Sequence, residues 1–180
     1  KKDLKNVEAY YNLFKSIFSD AVSRHMISDV PLGSYLSGGF DSGSVTTIAA
    51  GKHNRRIRTF TGKFKEAGIY DESECSRAVA AKTKAVMHEV TISPEDFHAH
   101  IEKMIYHLDE PKVGIPAISQ YMVSKLVSEQ VKVVLTGHAG DELFAGYPVY
   151  KVSYFKDLVK KNPLMALRFF SFFKWNEMPR

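Results

Sequence analysis

Six consecutive residues, Ser37-Gly38-Gly39-Phe40-Asp41-Ser42, bring two glycines, two hydroxyls and a carboxylate into one short loop. An apolar run precedes them and a stretch of small and β-branched residues follows. Strand, glycine loop and helix in that order form a phosphate-binding arrangement. Gly38 and Gly39 let phosphate oxygens approach backbone N–H groups. Ser37 and Ser42 can add hydroxyl donors, and the following helix turns its positive N-terminal end toward the anion. Asp41 repels phosphate, so its sense in the loop is as an oxygen ligand for Mg²⁺ that bridges phosphate oxygens. The string has no Gly-Lys-Ser/Thr ending and is therefore not a Walker loop. A plain glycine turn with a helix cap is the bland alternative. The full six-residue string after an apolar strand favours the functional reading.

The elements that must hold this loop alternate between helix and strand. Leu4, Val7, Tyr11, Phe14, Phe18 and Val22, spaced by three and four, predict an amphipathic helix over residues 3–28, closed by Pro31. Residues 32–36 read as the strand that feeds the loop, and 42–53 as the helix that leaves it. A second strand is expected over 56–62. Acidic residues suited to a helix start open a helix over 71–82. A third strand covers 86–91. Ser93 and Pro94 read as N-cap and first residue of a helix that runs to about Leu108. Another helix is expected over 116–129. The apolar run 131–135, broken only by Lys132, predicts a buried central strand. The whole reads as α/β: a parallel twisted sheet with helices on both faces.

Composition sets the outer limits. The 180 residues are 44% hydrophobic and 25% charged, ordinary for a globular chain with a proper core. No apolar run approaches the ~18 residues of a membrane span. The start is charged, without a signal peptide or an initiator Met, which suggests a piece of a longer chain. A single cysteine, Cys75, excludes an internal disulfide framework and a Cys-rich metal site, and it reads as a small helix residue rather than a nucleophile. A cytoplasmic setting is the expectation. Residues 1–150 balance their charges, so the net +5 falls wholly in 151–180, which is weak support for a nucleic-acid partner. Two segments are therefore expected, a catalytic body over 1–150 and a basic, aromatic-rich helical tail over 151–180. That tail holds Tyr154, Phe155, Phe169, Phe170, Phe172, Phe173 and Trp175, aromatics that need a core the chain does not obviously supply. More protein is expected to follow, truncating the fold C-terminally.

The six-residue string resembles the pyrophosphate loop of the N-type ATP pyrophosphatases. A second string, Thr136-Gly137-His138-Ala139-Gly140-Asp141-Glu142-Leu143-Phe144-Ala145-Gly146-Tyr147, is similar to the Ser-Gly-Glu-Gly-x-Asp-Glu-Leu-Phe-Gly-Gly-Tyr segment of the glutamine-hydrolysing asparagine synthetase family. Shorter strings fit in order: Val30-Pro31-Leu32-Gly33, Tyr70-Asp71-Glu72-Ser73, Leu108-Asp109-Glu110-Pro111 and Ser124-Lys125-Leu126. The resemblance covers residues 10–150. It implies an adenine nucleotide alpha hydrolase-like fold with ATP and Mg²⁺ as cofactors. Asp41 and Asp141 match the family's metal-binding aspartates. Tyr35 and Leu36, Gly62, and Thr136 with Gly137 match its adenosine contacts, beside the loop residues Ser37, Gly38, Gly39, Asp41 and Ser42. Glu110 matches a turn by the active site, where it orients substrate or only caps a helix.

The implied reaction has a carboxylate, aspartate in the archetype, attack the α-phosphorus of ATP, after which ammonia displaces AMP. The ammonia derives from glutamine, in a glutaminase domain expected on the same full-length chain. A further catalytic lysine is expected beyond residue 180. His138 departs from the family, which has glutamate there. A histidine can act as a base near neutral pH, but it changes charge and reach. It keeps open a relative that joins a carboxylate to an amine within one molecule, as β-lactam synthetases and peptide cyclases do. A tRNA-modifying adenylating enzyme is a third reading, opposed by the balanced charge of 1–150, and a non-catalytic binding module a fourth, opposed by Asp41 and Asp141. A small-molecule carboxylate and ammonia or glutamine are the expected partners, with neither nucleic acid nor membrane, and with a homodimer left open. His98, His100 and His107 with Glu102 and Asp109 read as a solvated helix face, and Arg55, Arg56 and Arg58 as a polar strand edge.

Overall fold

The computed structural model describes residues 6–53, 56–66, 71–110 and 115–171. Its elements are α1 (Val7–His25), β1 (Leu32–Tyr35), α2 (Phe40–Lys52), β2 (Arg58–Phe64), α3 (Ser73–Thr83), β3 (Val86–Ile92), α4 (Pro94–Leu108), α5 (Ile115–Ser128), β4 (Val133–Leu135), α6 (Gly140–Phe144), α7 (Pro148–Lys161) and α8 (Pro163–Ser171). Arg55, Tyr70, Pro111, Phe172, Phe173 and Trp175 lie outside the described residues, as do the side chains of Phe169 and Phe170. The chain forms two compact units, 1–137 and 138–180. This division differs from the charge-based one at residue 150.

In the first unit the four strands form one parallel sheet in the order β3-β2-β1-β4. Parallel neighbours need crossovers, and helices supply them on both faces, as the alternating pattern requires. The alternation of side chains along β1 shows the two faces. Leu32 joins Val22, Val45, Ala49, Ile57 and Leu135 in a core beneath α1 and α2. Ser34, on the same face, shares a 2.9 Å hydrogen bond with Thr46 of α2. Tyr35 points to the other face, where Phe60, Val123, Val127 and Val131 pack under α5. A third cluster of Ile92, Met104 and Ile118 joins α4 to α5 and β3.

The run 131–135 behaves differently from its sequence reading as a buried central strand. Only Val133–Leu135 is strand, and β4 pairs with β1 alone among the described strands. Val133 is 36% exposed, while Leu135 is buried. Hydrophobicity of a short run reports that some face is covered, not how many neighbours the strand has. Local chemistry sets the helix ends. Asn6 accepts the Ala9 N–H at 3.0 Å and starts α1 later than the apolar spacing suggests. Ser93 and Asp96 form a reciprocal capping box with Pro94 in the first turn of α4, as the sequence predicts. Asp71 folds back to accept the Ser73 N–H at 2.9 Å, so α3 starts at Ser73 rather than Asp71. The second unit is helical, with α7 packed on α8. No described helix is long and apolar enough to cross a membrane.

Candidate active site

All four strands are parallel, so their carboxyl ends share one edge of the sheet, and the loop 36–42 and the Thr136–Gly137 segment leave from there. The register pairs Tyr35 with Phe60 and Ser34 with Leu135. The segments that leave β1 and β4 are therefore neighbours, as expected for a ligand crevice at the carboxyl ends of parallel strands.

Leu36, fully buried, is held on both sides of its peptide by β2. Its N–H donates to Phe60 O at 2.9 Å, and its carbonyl accepts the Thr61 hydroxyl at 2.6 Å. The loop starts from this fixed point. Gly38 has φ +97°, a conformation open to glycine at little cost. Gly39 is extended and acts as the N-cap of α2, with no side chain capping that end. The first intrahelical bond, Gly43 N–H to Gly39 O, is 3.0 Å. The helix thus starts two residues earlier than its sequence reading and includes Asp41 in its first turn, half-buried.

The two serines turn inward. Ser42 Oγ donates to Gly39 O at 3.2 Å and accepts the Ser37 N–H at 3.2 Å. Ser37 Oγ lies 2.9 Å from Ser42 Oγ and accepts the Gly39 N–H at 3.2 Å. Both hydroxyls therefore shape the loop, and the donors left for an anion are the backbone N–H groups of the first turn of α2. Phe40, 88% exposed, stands off the loop.

Gly137 brings the segment after β4 against this helix start. A Cβ on Gly137 would lie 2.5 Å from Ser42 N, 2.8 Å from the Asp41 carbonyl carbon and 2.9 Å from Ser42 Cα. Only glycine fits so close to another backbone. Thr136 precedes it, half-buried.

Other candidates have packing duties. The Tyr35 phenol and the Ser124 hydroxyl share a 2.9 Å hydrogen bond, which ties β1 to α5. A Cβ on Gly62 would lie 2.8 Å from Val123 Cγ2 and 3.2 Å from Ser119 Oγ, so Gly62 lets α5 pack close. Glu110 is exposed just beyond α4, after Asp109 in the left-handed conformation (φ 55°). Of the histidines on α4, His100 is half-buried, its Nδ1 3.0 Å from Asp96 O and its ring 5.4 Å from that of Tyr121.

The second unit carries His138 and Asp141. Asp141 lies in the first turn of the five-residue α6, half-buried, and His138 is exposed. Alanines in the left-handed region bracket this helix, Ala139 at φ 70° and Ala145 at φ 56°. Both stand where the resembling family segment has glycine. The Tyr147 hydroxyl donates to Glu142 Oε1 at 2.8 Å. That bond, the Glu142 backbone N–H and the charge of His138 hold the Glu142 carboxyl below its ordinary range. The same bond pushes the Tyr147 phenol up.

An uncapped helix start with the hard carboxylate oxygens of Asp41 in its first turn suits a Mg²⁺-bound polyphosphate. A zinc-like site would need nitrogen or sulfur ligands. Two residues against the loop, Thr61 and Glu72, were not singled out as site residues in the sequence. Glu72 stands inside one of the matching strings, whereas nothing in the sequence marks Thr61.

Comparison with known proteins agrees with the motifs. The family model described as asparagine synthase matches residues 13–173. Asparagine synthetase (glutamine-hydrolyzing) 1 of Bacillus subtilis is 37% identical over 132 residues, 73% of this chain and 21% of that protein. Asparagine synthetase (glutamine-hydrolyzing) of Brassica oleracea is 34% identical over 147 residues, 74% of this chain and 24% of that protein. The amidase chyE of Penicillium rubens is 30% identical over 146 residues, 73% of this chain and 22% of that protein. The chain thus spans less than a quarter of the length of these curated relatives. Two long motifs in order, a parallel sheet that brings the segments after β1 and β4 together, and a family match over nearly the whole sequence lead to one conclusion: this chain belongs to the asparagine synthase family.

Proposed function

We propose that the chain is the ATP-cleaving part of an amide-forming ligase, which adenylates a carboxylate and passes it to ammonia. The observation that carries this reading is the approach of Gly137 to Ser42 N at the uncapped start of α2. It joins the two motifs at one backbone cradle, with its donors at the carboxyl edge of the sheet.

In this reading the substrate carboxylate oxygen attacks the α-phosphorus of ATP, and pyrophosphate leaves with the electron pair of the broken P–O bond. The N–H groups of the first turn of α2 stabilise the charge that accumulates on the leaving group. Gly62, Thr136 and Gly137 line the adenosine, and Leu36, fully buried and bonded to β2 on both sides of its peptide, fixes the start of the loop. Tyr35 contributes by holding α5 against β1. Asp41 and Asp141 would hold Mg²⁺, which neutralises phosphate charge when bound. Ammonia then attacks the acyl carbon and AMP departs. His138 takes up a proton from the incoming amine. The glutamine-hydrolyzing names of the Bacillus and Brassica relatives support glutamine as the ammonia source. Glu110 orients the carboxylate substrate.

A second reading, transfer to an amine in the same molecule, is favoured by His138 standing where the family has glutamate. ATP–pyrophosphate exchange on the full-length protein separates the two. Exchange with aspartate supports the asparagine reading; exchange only with another acid transfers the assignment to that acid. Asp41→Ala should abolish exchange with either, and unchanged exchange would remove the metal role of Asp41.

A further inference from the structure

A close neighbour of the loop from outside its own segment is Glu72, the N-cap residue of α3. A Cβ on Gly38 would lie 2.7 Å from Glu72 Cβ, so the loop rests directly on this residue. The Glu72 carboxylate extends further along the loop, with Oε2 3.9 Å from where a Gly39 Cβ would stand. Its side chain makes no capping bond to α3. Glu72 is exposed, and among the described residues neither it nor Asp41 is ion-paired. A cradle of N–H donors that attracts anions is thus flanked by two carboxylates that have no ion-pair partner among the described residues.

These charges oppose each other's purpose unless the anion arrives with a cation. A bare polyphosphate meets like charge at the loop, whereas a divalent cation inverts the local field. We infer that Glu72 is a specificity-determining residue, which makes the loop refuse metal-free polyphosphate and accept its Mg²⁺ complex. The inference rests on the ATP-cleaving reading above and adds a residue to it. A like charge at this range, screened by solvent because Glu72 is exposed, changes affinity by on the order of tenfold.

The test is calorimetric binding of inorganic pyrophosphate to the full-length protein, once with Mg²⁺ and once with EDTA. The quantity read is the ratio of the two affinities. Glu72→Gln keeps the shape and removes the charge. It should tighten metal-free binding by about tenfold and lower the ratio by the same factor. Glu72→Ala should do the same, and Glu72→Asp, which keeps the charge, should leave the ratio within about threefold of wild type. All three should fold, since the Glu72 side chain caps nothing, and a thermal melt checks this. Intact binding with an unchanged ratio in both neutral variants overturns the inference alone. A wild-type protein that binds no pyrophosphate in either condition overturns the ATP-cleaving reading and this inference with it.

Discussion

Gly137→Ala tests the junction on which the site depends. The new Cβ would stand 2.5 Å from Ser42 N, whereas ordinary contact begins at 3.4 Å. The two backbones must therefore separate by roughly 0.9 Å, and both partners are main chain, so no side chain can swing aside. Overpacking of this kind costs about 1–3 kcal/mol, which for a domain of this size lowers Tm by roughly 2–12 °C. The larger effect falls on chemistry, because a displacement near 1 Å of groups that position a reacting centre costs on the order of 100-fold in rate. Differential scanning calorimetry and ATP–pyrophosphate exchange read the two quantities. Gly51→Ala is the matched control. Nothing lies within 4 Å of a Cβ there, and the position is inside α2, so alanine should raise stability by about 0.5–1 kcal/mol and leave exchange unchanged. If Gly137→Ala melts and exchanges like wild type, the close approach does not hold the site and the reasoning fails.

Three further outcomes are expected. Thr61→Val keeps the shape of a fully buried side chain but leaves the Leu36 carbonyl without its 2.6 Å donor; it should cost about 1–3 kcal/mol in chemical denaturation, and Thr61→Ser should restore most of it. Ala139→Gly and Ala145→Gly each relieve a left-handed alanine and should each stabilise the second unit by about 1 kcal/mol, less the added freedom of the unfolded chain, as read by hydrogen exchange over α6. The Ser93 backbone N–H, then its hydroxyl, lowers the Asp96 carboxyl from its ordinary value of 3.8. A lowered folded pKa gives stability that is present above 3.8 and lost as pH falls through the folded value, so Asp96→Ala should flatten the acid limb of the stability–pH curve. Tyr147 has the opposite sign: with its pKa raised above 10.0 by Glu142, its contribution holds below that value and disappears as pH rises through the folded one, a limb that Tyr147→Phe should remove.

The amino-acid sequence by itself determined what depends on neighbours along the chain. The order of helices and strands follows from hydrophobic period. The Ser93–Pro94 start follows from capping chemistry, and the glycine loop from its unusual composition. The family strings marked the two segments of the candidate site. Tertiary structure decided what depends on residues far apart. It put β4 beside β1 with no further described neighbour, where the apolar run alone suggested a central strand. It committed the Ser37 and Ser42 hydroxyls to each other, leaving backbone N–H groups as the donors. It set Gly137 on Ser42 and Gly38 on Glu72, and it tied Tyr35 to Ser124 across 89 residues. Periodicity and caps are local and can be read from spacing. Strand order and sub-ångström clearance come from how whole layers pack, and no short stretch of sequence carries that information.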